Sequence, residues 1–230
     1  MEHKWLGLGL VAMGLAGLFA VMSGEGGGEA KDEVAAVAGV GSVKMLPEGV
    51  REGGVGIYGA LAARASDRGF TAGGTVDDEL LGKILWAACG VNRADGRWTI
   101  PTALDTRDLR VYVLDRDGGW LYEPEKHALT CCAVGDLRGA SGRQGFVADA
   151  ALNLVYAVDM SKEAARGVPE AAILKNGAFE AGCAAQGVAL VCASEGLKNV
   201  VRGSVDGELV GGALGLPEGV VVLMAQSVGP

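Results

Sequence analysis

A long alanine-rich run without proline, from Glu170 to Ser194, restricts the fold of this chain more than any other feature of its sequence. Alanine has the highest helix propensity of all residues, and a proline would interrupt the helical hydrogen bonds. The run therefore predicts one long, buried helix. At 230 residues, the chain suits one compact domain with a short targeting extension.

Apolar runs before and after this helix predict β-strands. Residues 151–158 are almost continuously apolar, which is typical of a central strand, and residues 220–225 predict a second buried strand. Leu109–Leu114 alternates like a strand, and a turn containing Asp and Gly at residues 115–119 leads into residues 120–122. This pattern predicts a β-hairpin.

Two helices are predicted upstream of the hairpin. Residues 57–65 have helical spacing, and the apolar positions between Leu80 and Ala88 recur as on one buried helical face. Thr75 is the predicted N-cap of the second helix, and the acidic residues after it suit the positive end of a helix. The order helix, helix, hairpin, strand, helix, strand indicates an α+β fold, with helices flanking a central mixed or antiparallel sheet.

The N-terminal residues 5–22 form an uninterrupted stretch of apolar residues and glycine. This is typical of a secretory signal peptide, and its length also approaches the roughly 20 residues that cross a bilayer. We expect residues 1–24 to be a signal peptide or a membrane anchor, and export to the periplasm is favoured over permanent anchoring. Residues 25–45 are the expected linker or arm, and residues 46–230 the expected folded domain. Contact with a membrane is expected only through the N-terminal segment, if it is not cleaved.

The charged and metal-binding residues exclude several classes of function. The formal net charge is −8 and the basic residues are scattered singly, so we expect no nucleic-acid partner. The two histidines, His3 and His127, are too few for a multi-histidine metal centre, and we expect no metal site. The five cysteines show no CxxC motif and are expected to be buried apolar residues. Any chemistry is therefore expected to belong to a cofactor.

Two short segments have residues suited to a phosphorylated, planar cofactor. Arg64, Ser66 and Arg68 offer two guanidinium groups and a hydroxyl within one short segment, which suits a phosphate group. Taken alone, this segment also fits a solvated charged loop. The second segment, residues 101–103, is Pro-Thr-Ala and taken alone would be an ordinary turn.

A third candidate segment follows the long predicted helix. Glu195, Gly196 and Leu197 end that helix, and the glycine there lets the backbone approach a ligand closely. The same glycine also fits a plain helix C-cap. Arg202 follows shortly after. It is interpreted either as a further phosphate contact or as part of a surface ion pair.

In their order along the chain, these motifs resemble the nitroreductase family, in particular its short exported branch. The resemblance covers residues 46–230 and rests on the order and spacing of the motifs rather than on one decisive motif. Besides the segments above, it includes residues 85–88, 90–93, 111–113, 136–138, 153–156, 192–197, 200–206 and 225–230.

The resemblance implies a nitroreductase-like homodimer with FMN at the subunit interface, where the long helix from about Glu180 would be buried between subunits. It implies that hydride passes from a reduced donor, NAD(P)H, through the flavin to a nitro compound, a quinone or a similar small molecule. No catalytic side chain is implied, since the protein positions the flavin and tunes its electronics. The residues that the resemblance places at the flavin are Arg64, Ala65, Ser66, Arg68, Pro101, Thr102, Ala103, Asp105, Gln186, Glu195, Gly196, Leu197 and Arg202.

Several positions depart from the family pattern, among them Ala65, which stands where a second arginine is common. Asp105 stands where the family has an asparagine that bonds the flavin ring, and Gly187 replaces an asparagine beside Gln186. An anion at Asp105 would disfavour the reduced flavin, unless Arg107 neutralises it or the carboxyl is protonated. Two alternatives therefore stay open beside the oxidoreductase. One is a flavin-dependent oxidase or dehydrogenase of a peptide or small metabolite, and the other is a binding protein that has lost flavin.

Overall fold

The structure, a computed structural model, describes residues 39–48 and 53–230. The predicted signal peptide or anchor, residues 1–24, lies outside the described residues, and so does most of the predicted arm. The last three residues of that arm, Val43–Met45, form an edge strand of the sheet.

One antiparallel sheet of seven strands forms the centre of the described fold, so the predicted α+β class is confirmed. Every neighbouring pair of strands is antiparallel, in the order β1-β4-β3-β2-β5-β7-β6. The strands are β1 Val43–Met45, β2 Leu109–Leu114, β3 Gly118–Glu123, β4 Ala128–Val134, β5 Leu152–Asp159, β6 Lys198–Arg202 and β7 Val220–Gly229.

The predicted central strand corresponds to β5, which pairs with β2 on one side and β7 on the other. All of its residues are buried except Asp159 at its end. Both faces of β5 are therefore covered by other elements, which explains why its sequence is almost continuously apolar.

Helices cover both faces of this sheet. In the described residues they are α1 Ile57–Ala63, α2 Asp78–Cys89, α3 Phe146–Asp149, α4 Ser161–Ala165, α5 Glu170–Ser194 and α6 Gly207–Leu214. On one face, α2 and α5 form the main core together with β2 and β5; on the other face, α6 covers a smaller core. Successive residues of β2 alternate between the two cores, since Val111 and Val113 enter the first and Tyr112 and Leu114 the second.

The long predicted helix is α5, with the predicted bounds. By length and composition it could cross a membrane, but it packs on the sheet and against α2 in the core of the domain. Two glycines allow this close packing. A Cβ at Gly177 would lie 2.8 Å from Val158 Cβ, and a Cβ at Gly187 would lie 2.6 Å from the Ala87 carbonyl oxygen.

Three local features differ from the sequence predictions. The N-cap of α2 is Asp77 rather than Thr75, and its side chain accepts the Leu80 N–H at 2.8 Å. A capping side chain has to reach the second or third helical N–H, and Thr75 is two residues too early for this. The hairpin continues into a further strand, β4, and β6 also pairs with β7, although neither strand was predicted.

Candidate cofactor-binding site

The segment after α1 carries the first predicted phosphate-binding residues. Arg64 is the C-cap of α1, and its N–H donates to the Ala60 carbonyl at 2.9 Å. The guanidinium of Arg68 lies over the ring of Phe146, 5.9 Å from its centroid, as in a cation–π contact. Arg64 and Ser66 make no side-chain hydrogen bond or ion pair with any part of the chain that the structure describes. Their polar groups are therefore available to a ligand.

The turn after α5 has the geometry of a helix C-cap. Gly196 has φ +71°, in the left-handed region, and the Leu197 N–H donates to the Cys192 carbonyl at 2.8 Å. This bond from the second residue past the cap is that of a Schellman motif, which strongly favours glycine at the left-handed position before it. The glycine therefore has a structural role, whether or not a ligand approaches it.

The turn after α5 and the segment after α1 lie side by side. Asp67 N–H donates to the Asn199 carbonyl at 2.9 Å, just past the turn. Glu195, at the end of α5, forms an ion pair of 3.5 Å with Lys83 of α2. The structure thus brings together the predicted residues Arg64 to Arg68 and Glu195 to Leu197.

The loop of residues 101–107, which contains the Pro-Thr-Ala segment, has an unusual backbone. Leu104, Asp105 and Arg107 have φ of 51°, 53° and 54°. This left-handed region is unfavourable for residues with a Cβ, and each such residue costs on the order of 1–3 kcal/mol. Contacts from the surrounding structure have to stabilise the loop in this conformation.

Side chains of α4 and its C-terminal end hold the carbonyl groups of this loop. Lys162 Nζ donates to the Thr106 carbonyl at 2.9 Å. Arg166 Nη1 donates to the Leu104 carbonyl, also at 2.9 Å. Both bonds are charge-assisted and therefore stronger than a bond between neutral groups.

Glu180 of α5 holds the loop from its other side. The Ala103 N–H donates to Glu180 Oε1 at 2.6 Å, and the Thr106 hydroxyl donates to the Ala103 carbonyl at 2.9 Å. Burial raises the pKa of the Glu180 carboxyl to about 7, and the negative charges of Asp108 and Glu163 act in the same direction. The hydrogen bond from Ala103 acts in the opposite direction and lowers the pKa.

The sequence analysis did not identify Glu180, Lys162 or Arg166. For Glu180 a signal was present, because it is a lone acid inside an alanine-rich helix predicted to be buried. A buried carboxylate needs a donor partner, so such a position indicates a specific contact.

Asp105 and Arg107 form an ion pair in this loop. Arg107 Nε lies 3.3 Å from Asp105 Oδ1. The side chain of Arg107 thus neutralises the carboxylate at the position where the resemblance implies an asparagine.

Gln186 and its neighbour Gly187 have different surroundings on α5. Gln186 is exposed, whereas Gly187 faces α2, where a larger residue would meet the Ala87 carbonyl. The close approach of α5 and α2 explains why residue 187 is a glycine. Gln186 borders a shallow apolar groove lined by Ala178, Phe179, Gly182, Cys183, Gly187 and Leu190.

Arg202 requires a correction, since it was predicted as a phosphate contact or a surface ion pair. It is only 4% exposed, and its guanidinium donates to the Ser141 carbonyl at 2.8 Å, to Asn153 Oδ1 at 3.2 Å and to Ser227 Oγ at 3.2 Å. Burial lowers the pKa of Arg202 to about 10. All three guanidinium nitrogens are used inside the protein, so the geometry indicates a structural role.

The remaining predicted residues other than Gln186 therefore form two groups along α5, one beside its middle and one at its C-terminal end. The loop of residues 101–107 contacts Glu180, whereas the turn and the charged segment lie at Glu195. These two glutamates are fifteen positions apart in sequence, which corresponds to about 22 Å along a helix. No group of three or more His, Cys, Asp or Glu side chains is placed to hold a metal ion in residues 39–48 and 53–230.

Comparison with known proteins identifies a family for this arrangement. The sequence profile of the Nitroreductase family matches residues 61–229. This range contains every residue predicted to contact the cofactor. No curated protein matches the sequence.

Solved structures share the fold. A candidate nitroreductase of Ralstonia eutropha JMP134 is 33% identical, with a TM-score of 0.76, and the match covers 81% of this chain and 88% of that protein. Nitroreductase A of Vibrio parahaemolyticus is 22% identical, with a TM-score of 0.55, over 75% of this chain and 66% of that one. A chain of the E. coli microcin synthetase McbBCD complex, solved with truncated pro-MccB17 bound, is 19% identical, with a TM-score of 0.60, over 81% of this chain and 78% of that one.

Proposed function

The chain belongs to the nitroreductase family, and on that basis we propose that it is an oxidoreductase that binds FMN and passes hydride from NAD(P)H to a nitro compound, a quinone or a similar small acceptor. When bound, FMN supplies a group that accepts hydride from one substrate and donates it to the next. The observation that carries the proposal is a pair of polar groups, on Arg64 and Ser66, that lie beside the turn at the end of α5 and have no partner among residues 39–48 and 53–230.

The segment after α1 fits the phosphate of FMN. The guanidinium of Arg64 and the hydroxyl of Ser66 have no partner within the described residues, and Arg68 is exposed apart from its contact with Phe146. Guanidinium groups bind phosphate oxygens in a bidentate manner, and the hydroxyl adds a further donor. These residues would hold the phosphate.

The loop of residues 101–107 fits the edge or face of the isoalloxazine ring. Side chains behind the loop hold its strained backbone in one conformation, so its outer surface is organised before a ligand arrives. Arg107 balances the charge of Asp105, which reduces the penalty that an isolated carboxylate would impose on a reduced flavin.

A homodimer would complete this site. The two groups of residues lie about 22 Å apart along α5, and between them α5 presents the apolar groove, where Phe179 is 62% exposed. The neighbouring α1 exposes Tyr58, at 85%, and Ile57. Exposed apolar surface of this kind favours burial against a second copy, which would bring the loop of one protomer to the charged segment of its partner.

Export remains part of the proposal through residues 5–22, which lie outside the described part of the chain. Nicotinamide nucleotides are scarce outside the cytoplasm, so an exported form would take electrons from another donor. Isolation of the chain from the periplasm with a new N-terminus near residue 24 would support export. An intact N-terminus on cytoplasmic protein would contradict it.

The proposed cofactor is tested by the visible absorption spectrum of the full chain, purified in mild detergent, with FMN added and then dialysed. We expect flavin bands near one equivalent per chain. The double variant Arg64→Ala, Arg68→Ala should lose affinity for FMN by tenfold or more. Arg143→Ala is the matched control, because Arg143 is an exposed arginine that forms an ion pair with Asp206.

A folded wild-type chain that retains no flavin would contradict the proposed function and favour a binding protein without flavin. If flavin is retained but neither nitro compounds nor quinones oxidise the reduced protein, the proposed acceptors are wrong. Turnover of a peptide or small metabolite would then be tested with the same flavin-loaded protein.

A further inference from the structure

We infer that Glu180 is a positioning residue for the flavin: its carboxylate, acting through the Ala103 N–H, fixes the loop of residues 101–107 in the conformation that faces the ring. This inference rests on the proposed function. Glu180 is not expected to touch the flavin itself, because it lies behind the loop and is only 4% exposed.

The contact is close, and it is the one hydrogen bond that Glu180 makes within the described residues. The Ala103 N–H donates to Oε1 at 2.6 Å, whereas Oε2 is buried without a hydrogen-bond partner in that part of the chain. A carboxylate with so few donors is costly to bury. An apolar residue in its place would avoid that cost but would leave the Ala103 N–H unsatisfied.

The hydrogen bond between Ala103 and Glu180 lies next to the strained part of the loop backbone. Ala103 directly precedes Leu104, the first of the left-handed residues of the loop. The loop carbonyls are held by cations at α4, namely Lys162 and Arg166, so Glu180 supplies the only side-chain anchor on a loop N–H among the described residues. If this anchor weakens, the backbone at Ala103 is expected to relax.

The charged groups that face Glu180 make this anchor sensitive to pH. Asp108, at the end of the loop, and Glu163 of α4 are both buried near it, and each carries a like charge. Asp108 lies 3.6 Å from Lys162 Nζ, and Glu163 accepts a hydrogen bond of 2.9 Å from Asn176. Burial and these like charges raise the pKa of Glu180 to about 7, so near neutrality it exchanges between a strong, ionised acceptor and a weaker, protonated one.

The test compares Glu180→Gln with Glu163→Gln and the wild type. Glutamine keeps the length and one acceptor oxygen but removes the charge. Glu163→Gln is the matched control, because Glu163 is also a buried acid, and its side chain accepts a hydrogen bond from Asn176 rather than from the loop. The dissociation constant for FMN is measured by flavin fluorescence between pH 5.5 and 8.5.

We expect the affinity of the wild type, relative to Glu180→Gln, to increase several-fold as pH rises, with a midpoint near 7. This ratio cancels the titration of the FMN phosphate itself, which occurs near pH 6. Glu163→Gln should keep the increase with a midpoint at lower pH, since one like charge is removed. A ratio that does not change with pH would overturn the inference.

A second readout does not require flavin. In the flavin-free protein, the amide proton of Ala103 should show a chemical-shift titration with a midpoint near 7, which Glu180→Gln abolishes. If the wild type binds no flavin, both the proposed function and this inference are overturned, even where the Ala103 titration is present. If flavin binds but Glu180→Gln matches the wild type at every pH, only the inference is overturned.

Discussion

Arg107 Nε lies 3.3 Å from Asp105 Oδ1, and both residues have a left-handed backbone. The pair is partly exposed, and ion pairs of this kind contribute about 0–1 kcal/mol. Its effect on stability is therefore small. If flavin binds as proposed, the Arg107 guanidinium determines whether the ring lies beside an isolated carboxylate or beside a neutral ion pair.

The first prediction concerns this pair. Arg107→Gln leaves Asp105 unpaired, and the resulting anion should lower the reduction potential of bound flavin by on the order of 20 mV, the two-electron equivalent of about 1 kcal/mol. Potentiometric titration of the flavin-loaded protein measures this shift. Asp105→Asn should raise the potential instead. The same change in the Lys44–Asp78 pair, as Lys44→Gln in the edge strand β1, serves as the control and should leave the potential unchanged. An unchanged potential in Arg107→Gln would place the ring away from Asp105.

The second prediction concerns the packing of α5 on α2. In Gly187→Ala, the new Cβ would lie 2.6 Å from the Ala87 carbonyl oxygen, so the helices have to move apart. We expect a loss of about 1–3 kcal/mol in the free energy of unfolding, measured by urea denaturation. Gly212→Ala is the matched control in another helix, where the added Cβ meets no atom within 4 Å. It should be neutral or stabilising by up to about 1 kcal/mol. A destabilised control and a tolerated Gly187→Ala would contradict the packing described here.

The elements that follow from local composition are those that the sequence predicts well. The alanine-rich run predicts α5 with its observed bounds, and the apolar run of β5 predicts a central strand. By contrast, β4 begins directly after His127, which turns the chain with a φ of +47° without a glycine to mark it. Its small residues and cysteines also lack the β-branched pattern typical of strands.

The candidate site depends on contacts between distant residues, and these are less accessible to sequence reasoning. The motifs locate Arg64 to Arg68 and residues 101–103, but no local pattern indicates that Leu104 and Asp105 adopt left-handed conformations. Arg202 illustrates the same limit. Its burial depends on Ser141, which is distant in sequence and contributes both a carbonyl and a hydroxyl acceptor.

The third prediction distinguishes the structural role of Arg202 from the proposed phosphate-binding role of Arg68. Arg202→Met removes a buried donor and leaves the Ser141 carbonyl without its charged partner, so the free energy of unfolding should fall by about 3 kcal/mol. Arg68→Ala, at an exposed position, should change it by less than about 0.5 kcal/mol and instead weaken FMN binding. Urea denaturation and flavin titration of both variants measure the two effects. If folded Arg202→Met loses flavin while Arg68→Ala does not, Arg202 rather than Arg68 serves the phosphate.

The last prediction is the effect of Glu180 on stability. Its pKa in the folded protein is about 7, above the value of 4.5 for an unperturbed glutamate. Below pH 4.5 the carboxyl is protonated in both the folded and the unfolded state. As pH rises from about 4.5 to 7 the unfolded chain ionises first, so the stability that Glu180 contributes in its protonated form is lost progressively. The free energy of unfolding should therefore decrease over this range by up to about 3 kcal/mol, because folding raises the pKa of the carboxyl from 4.5 to about 7.

Urea denaturation of the wild type and of Glu180→Gln at pH 5, 6, 7 and 8 measures this contribution, since groups remote from Glu180 titrate alike in both proteins. The stability of Glu180→Gln relative to the wild type should increase between pH 5 and 7 and then remain level. Glu170→Gln, an exposed change at the start of the same helix, should give a difference that does not depend on pH in this range. If Glu180→Gln instead becomes relatively less stable as pH rises, then the ionised carboxylate stabilises the fold, and the Ala103 hydrogen bond outweighs the cost of burial.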